Sequence, residues 1–240
     1  MEWRDEGLVI GVRRHGETSV IVEALTKAHG RHLGLVRGGR GPRFQSLLQP
    51  GNSLEFVWRA RLDEHLGGYA VEPVMLRAGR FLASGLALAG LAYLGALLRL
   101  LPERDPHQSL HEALEIVADH LDAREVAPAL VARFELQALA ECGFRLDLES
   151  CAASGSRDDL IYVSPKSGRA VSASAGAPWR DRLLALPAFL RAERPGAAPT
   201  PDDLADAFRL TGFFLERDLF GPRGLLMPDA RRAFLAAAIR

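Results

Sequence analysis

Arg37-Gly38-Gly39-Arg40-Gly41-Pro42-Arg43 places three guanidinium groups on a short stretch rich in glycine. On a backbone freed by glycine from the usual limits on φ, such groups can adapt to phosphate oxygens and stack on bases. The stretch has the character of a phosphate-gripping loop. It is not the nucleotide-triphosphate kind, because no G-x-x-x-x-G-K-[ST] spacing occurs. A solvated hairpin loop with incidental charge is the plainer alternative. The neighbouring residues favour nucleic acid: Arg13, Arg14, Arg31, Arg59 and Arg61 add cations, and Phe44 and Trp58 offer rings on which bases can stack.

Other residue groupings carry less chemistry. His107 and His111 lie one helical turn apart, a spacing that can place two imidazoles on one metal. Glu112 stands beside the second of them, not in the H-E-x-x-H order, and no third ligand follows, so an exposed helix face is expected. The adjacent pairs Asp158-Asp159 and Asp202-Asp203 point apart in any regular structure, and loop polarity or a helix N-terminus accounts for them. No Ser/His/Asp or Cys/His order and no dinucleotide fingerprint is present. No cofactor and no metal is expected.

Charge is zero overall but uneven along the chain. From Val12 to Leu62 nine basic residues face three acidic ones, an excess of six, and from Phe81 to Ser150 five basic face eleven acidic, a deficit of six. A basic lobe followed by an acidic one suits a chain of which only the first part meets phosphates. The two cysteines, Cys142 and Cys151, and the lack of a charged and then apolar leader point to a reducing cytoplasm. The uncharged run Phe81–Leu98 approaches the length of a membrane span, but its many Gly and Ala residues suit a buried core helix better.

The elements that would position these groups follow from periodicity. Short β-branched or apolar runs at Leu8–Arg13, Ser19–Thr26, His32–Val36, Asn52–Arg59 and Leu66–Val74 are broken by glycine turns. Five such strands predict a small closed barrel, of which the OB-fold is the common form. In the fourth, Leu54, Phe56 and Trp58 share one face. Helices are predicted over Phe81–Leu101, His107–Leu121, Ala127–Glu141, Pro178–Leu184, Pro201–Leu219 and Pro228–Ile239, several of them opened by proline. Between them, residues 144–177 are irregular, with one strand at Leu160–Val163.

Several short motifs then occur in a familiar order. Gly16-Glu17-Thr18-Ser19, the turn His29-Gly30, Val36-Arg37-Gly38 and Leu48-Gln49-Pro50-Gly51 are together similar to the N-terminal barrel of the RecO family of DNA repair proteins. Arg133-Phe134-Glu135-Leu136 and Glu141-Cys142-Gly143-Phe144 resemble that family's central helix and the approach to its zinc-ribbon-like lobe. Each motif is weak alone, and their colinearity over nearly the whole chain carries the resemblance. It implies an α+β multidomain fold: an OB-fold barrel over 1–79, a helical domain over 80–143 and 178–240, and an inserted degenerate zinc-ribbon-like lobe over 144–177. Where many members carry two Cys-x-x-Cys pairs, this chain has Cys151-Ala152-Ala153-Ser154 and Ser172-Ala173-Ser174-Ala175. One thiolate remains, and neither serine nor alanine replaces one on zinc.

The resemblance further implies a non-enzymatic mediator in the cytoplasm, associated with the nucleoid. Such a protein binds single- and double-stranded DNA, anneals complementary strands and helps load RecA onto strands coated by single-strand binding protein. Its implied partners are RecR, the acidic C-terminal tail of single-strand binding protein and RecF. Arg133 occupies the position that would take the tail's carboxylate, although pairing with Glu135 or Glu141 is an equal alternative. A nucleic-acid-processing enzyme anchored by an OB-fold, and a purely structural adaptor, remain as rival readings.

Overall fold

The computed structural model describes residues 1–191 and 198–238. The chain divides into two compact units, Met1–Arg124 with Pro228–Ala237, and Glu125–Met227 with Ala238. The helices directly after the barrel therefore fall in the same compact unit as the barrel.

In the first unit, β1 (Glu2–His15), β2 (Ser19–Thr26), β3 (Gly30–Val36), β4 (Ser53–Arg59) and β5 (Gly68–Met75) form a closed barrel in the order β1-β2-β3-β5-β4. β1 is longer than the expected Leu8–Arg13 because it serves two partners. Its first half pairs antiparallel with β4 and its second with β2, and the register slips between Val9 and Gly11, where the strand bends. Inward-facing Val9, Val22, Val36, Leu54, Phe56 and Trp58 fill the interior with Tyr69 and Val71. β-Branched and aromatic side chains suit this closely packed, pleated surface. A one-turn helix, α1 (Pro42–Gln45), lies between β3 and β4.

β3 and β5 meet in parallel at one pair, Leu35 and Gly68. Beyond that point the edge of β3 is covered by Glu103 and Arg104, through a bridge from Arg31 to Glu103 and a 2.9 Å bond from the Arg104 amide to the Arg31 carbonyl. Arg104 adopts a left-handed backbone (φ 64°), and its guanidinium donates to the carbonyls of Asp63 and His65 in the β4–β5 loop.

Three helices follow: α2 (Ala78–Phe81), α3 (Gly85–Leu98) and α4 (Gln108–His120). The single helix expected over Phe81–Leu101 is interrupted because Ser84 takes an extended conformation and its hydroxyl caps the amide of Ala87. At 14 residues α3 spans about 21 Å, short of the ~30 Å hydrocarbon layer. No helix among the described residues is long and apolar enough to cross a membrane. A Cβ built on Gly95 would stand 3.0 Å from the Ile10 carbonyl, so the small residues of the apolar run let α3 lie directly on β1. Below it, buried Arg77 pairs with Glu115 (2.7 Å) and Asp119 (2.6 Å) of α4 and donates to Ser53 Oγ.

The second unit holds α5 (Ala127–Glu141), a small sheet and its companion helices. The sheet comprises β6 (Leu160–Val163), β7 (Ala170–Ser172) and β8 (Leu184–Ala185) in the order β7-β6-β8, with the short α6 (Ala173–Gly176) after β7. The helix expected at Pro178–Leu184 is instead a 3-10 segment, Ala177–Arg182, and Leu184 leaves it to pair with Val163. α7 (Pro201–Phe214) begins with a reciprocal capping box between Thr200 and Asp203, which accounts for one of the acidic pairs. A π-helical turn, Leu215–Phe220, continues it. α8 (Asp229–Ala238) belongs mainly to the first unit, and Ile239, where the last helix was expected to end, lies outside the described residues.

Candidate nucleic-acid interface

The loop after β3 is built, not loose. Gly38 supplies a positive φ of 66°, and a Cβ on Gly39 would fall 2.6 Å from Val20 Cγ2. The Arg40 amide donates to the Thr18 carbonyl at 3.0 Å and the Gly41 amide to Gly38 at 2.9 Å. Glycine thus permits close approach to the barrel end, where mobility was expected. Pro42 then opens α1, which presses half-buried Phe44 onto the barrel core. The Arg43 guanidinium lies over the Phe44 ring at 5.5 Å, a cation–π contact that fixes both.

Beside this loop runs a groove of about 480 Å³ whose walls include Arg14, Arg40, Val12, Phe44, Leu48 and Gln49. Arg14 reaches it from the end of β1, which the hairpin register places opposite Val20 of β2. The Arg40 guanidinium donates to the Glu17 carbonyl and remains exposed. Two cations therefore edge a cleft floored by an aromatic ring and aliphatic side chains, a surface that can hold phosphates and stack bases at once. Arg37 is exposed at the end of β3, and Arg13 lines a neighbouring depression.

Not all the expected residues join this site. Trp58 is fully buried in the barrel and its indole N–H donates to the Leu66 carbonyl at 3.0 Å, so it cannot stack on a base. Its place on the inward face with Leu54 and Phe56 decides this. Arg31 is also corrected: its side chain is only 12% exposed and ties Glu23 (2.8 Å), Glu103 (3.5 Å) and the Leu101 carbonyl together. Arg59 is exposed and paired with Glu2, Arg61 is exposed, and neither lines the groove. His107 and His111 are buried, against the expected exposed face, because α4 turns that side toward the first unit's core. Among the described residues no group of three or more His, Cys, Asp or Glu could hold a metal ion.

Arg99 was missed. It closes α3, pairs with Glu23 at 2.8 Å and lines two depressions next to the groove. Charge counted by segment hid it inside the acidic half. The signal available was its place as the sole charge ending a long apolar run.

In the second unit, exposed Arg133 of α5 donates from Nε (3.0 Å) and Nη2 (2.6 Å) to the Phe189 carbonyl. Glu135 is buried and accepts from the Thr211 hydroxyl. Cys151 is buried near the small sheet, where the Ser172 amide donates to its sulfur at 3.3 Å. Burial works to raise the Cys151 thiol, but hydrogen bonds with Ser154 and Ser172 outweigh it and bring the pKa down to about 6.

A closed five-stranded barrel with an arginine-edged groove, continued by helices, defines a class of protein that presents a cationic cleft on a β-barrel. Residues 1–75 match the family model described as Recombination protein O N terminal, and residues 82–226 match Recombination protein O C terminal. The chain belongs to the RecO family of DNA repair proteins. It is 62% identical over 236 residues to the DNA repair protein RecO of Methylocella silvestris, covering 98% of this chain and 95% of that one. It is 61% identical over 239 residues to that of Methylobacterium nodulans (98% and 97% covered), and 60% identical over 240 residues to that of Chelativorans sp. (100% and 96% covered).

Proposed function

We propose that the barrel is an OB-fold that binds single- and double-stranded DNA, and that the chain acts in repair as a non-enzymatic recombination mediator. The observation that carries this reading is the groove edged by Arg14 and Arg40 and floored by Phe44. A strand held there has its phosphate repulsion screened, which lowers the barrier to pairing with a complementary strand. The strand order β1-β2-β3-β5-β4 supports the OB-fold assignment. In this role the protein anneals complementary strands, assists loading of RecA onto strands coated by single-strand binding protein, and works beside RecR and RecF in the nucleoid.

Arg133 is the proposed anchor for the acidic tail of single-strand binding protein. Two of the five guanidinium N–H groups are engaged by Phe189, which fixes the plane of the group and orients the others for a carboxylate. The remnant cluster of Cys151, Ser154 and Ser172 supports reading the sheet-bearing lobe as a zinc ribbon that has lost its metal.

Annealing assays test the division of labour. Arg14→Ala with Arg40→Ala should slow annealing of naked strands. Arg133→Ala should spare naked strands, slow annealing of coated ones, and weaken tail binding by roughly 1.5 to 3 kcal/mol, the scale of a charged hydrogen bond. Loss of both activities with Arg133→Ala, in a folded protein, or of neither with Arg14→Ala plus Arg40→Ala, would contradict the reading.

A further inference from the structure

Three depressions on the first compact unit share their walls. The groove holding Arg14 and Arg40 has Val12, Gln49 and Pro50 in common with a trough of about 430 Å³ floored by Phe81, Leu88 and Leu91. That trough ends at Arg99, which together with Val12 also lines a depression of about 330 Å³ containing Arg13. The result is one continuous path that passes β1 at Gly11 and Val12 and runs along α3. One end carries Arg14 and Arg40, the other carries Arg13, Arg31 and Arg99 against Glu23 and Glu103, with Arg99 paired to Glu23, and the middle is apolar.

The middle keeps large apolar side chains in water. Leu82, in the turn before α3, is 74% exposed, and Leu88 is 45% exposed. A lone exposed leucine is ordinary. Here two stand in a concave trough beside Leu91 and Pro50, between arginines, Leu88 on a helix whose other faces are packed against β1, Leu121 and Phe234 and Leu82 in the turn that leads into it.

We infer that the trough is a second subsite for a single DNA strand, on the helix and outside the barrel. Bases of the strand held by Arg14 and Arg40 continue past Pro50 and lie against Leu82, Leu88 and Leu91, and the phosphates lead on toward Arg99 and Arg13. The inference rests on the proposed DNA-binding reading of the barrel groove. A duplex keeps its base faces stacked inside and offers the trough only its charged exterior. A single strand exposes one π-face per nucleotide, and contact with it tolerates any sequence. Arginines at both ends match a polyanion that runs through, and continuity with the barrel groove gives the strand its entry. From Leu88 to Arg99 the helix rises about 16 Å, room for up to about five nucleotides at the ~3.4 Å stacked spacing.

The test uses the full chain with Leu82→Ser and Leu88→Ser together, solvent-facing positions at which charge is unchanged and only part of the side chain is packed. Affinity is measured for oligothymidine of about 8 and about 20 nucleotides, since barrels of this kind occupy ~4–16, and for a duplex of the longer length. Affinity for the longer strand should fall about tenfold, the scale of the apolar contact that two partly exposed leucine side chains make with the bases. The short strand, the duplex, the slope of affinity against salt and the melting temperature should hold. Leu88→Phe, with Leu82 retained, should bind the longer strand at least as well as the natural chain. Unchanged affinity for the longer strand would overturn the inference and give the trough another occupant. An equal loss on all three DNAs would also overturn it. The barrel reading fails separately, if Arg14→Ala with Arg40→Ala leaves all three affinities intact.

Discussion

Arg31 and Arg40 carry the same side chain and meet different fates. Arg31 lies on the outer face of β3, opposite core-facing His32 and Val36, and is held there by Glu23, Glu103 and the Leu101 carbonyl, whereas Arg40 follows the strand's end and stays in water. The segment Leu101–Arg104, which covers this outer face of β3, makes the difference, and residue type alone does not show it. Histidine shows the same dependence on place. His32 lies among Trp3, Trp58 and Tyr69, with Nδ1 2.8 Å from the Tyr69 hydroxyl. Burial, and then the nearby positive charge of Arg104, bring its pKa from 6.5 down to about 4. Above pH 6.5 the ring is neutral in folded and unfolded chains alike. As pH falls from 6.5 toward 4 the unfolded chain takes up the proton and the folded one resists it, so stability is lost across that window by up to about 3 kcal/mol. His111 is buried with no hydrogen-bond partner on either ring nitrogen among the described residues, and burial lowers its pKa in the same direction. Melting temperature should therefore decline below about pH 6.5, and His32→Gln should flatten the decline. A melting temperature constant from neutrality to about pH 4.5 would contradict this.

Elements were legible where burial has one simple side. Leu54, Phe56 and Trp58 alternate along β4 and all three are fully buried, and the 3.6-residue spacing of Leu110, Leu114 and Val117 marks α4 as found. Legibility failed where a local bond overrides a pattern: Ser84 caps and starts α3 inside an apolar run, and Leu184 is drawn into a strand by pairing with Val163. The buried histidines were missed because α4 is packed on a side that its polar residues disguise. α3 itself was read as a core helix, and Leu91 at 8% exposure agrees. Leu91→Asp should destabilise the chain by several kcal/mol, as an uncompensated charge in a packed face does. A native melting curve for that variant would show α3 to be loosely held. In the second unit, the lobe around Cys151 should bind no stoichiometric zinc on elemental analysis, and a chelator should leave its melting unchanged, because one thiol among hydroxyls is a poor ligand set. One zinc per chain would mean that other residues have taken over as ligands.

Across the whole molecule, charge is segregated along the sequence, and that count does not carry over residue by residue to the surface. The excess of basic residues between Val12 and Leu62 pointed to the barrel, where the groove lies, but it also counted Arg31, which is consumed by ion pairs, and overlooked Arg99. Colinear motifs identified the family because they report the order of turns and strands, which a chain of this length keeps even when single positions vary. They could not report which arginines face water, since that depends on how β1 bends between two partners and how the loop after β3 is pinned to Thr18. The proposed role of Arg14 and Arg40 is to hold a DNA strand in the barrel groove. It is tested most directly by titrating a single-stranded oligonucleotide at several salt concentrations with the natural chain and with Arg14→Ala plus Arg40→Ala. Each phosphate no longer neutralised by an arginine should reduce the slope of log affinity against log salt by about 0.7, so the double variant should bind more weakly and with a slope shallower by about 1.4. Equal slopes and equal affinities for the two proteins would rule out that role.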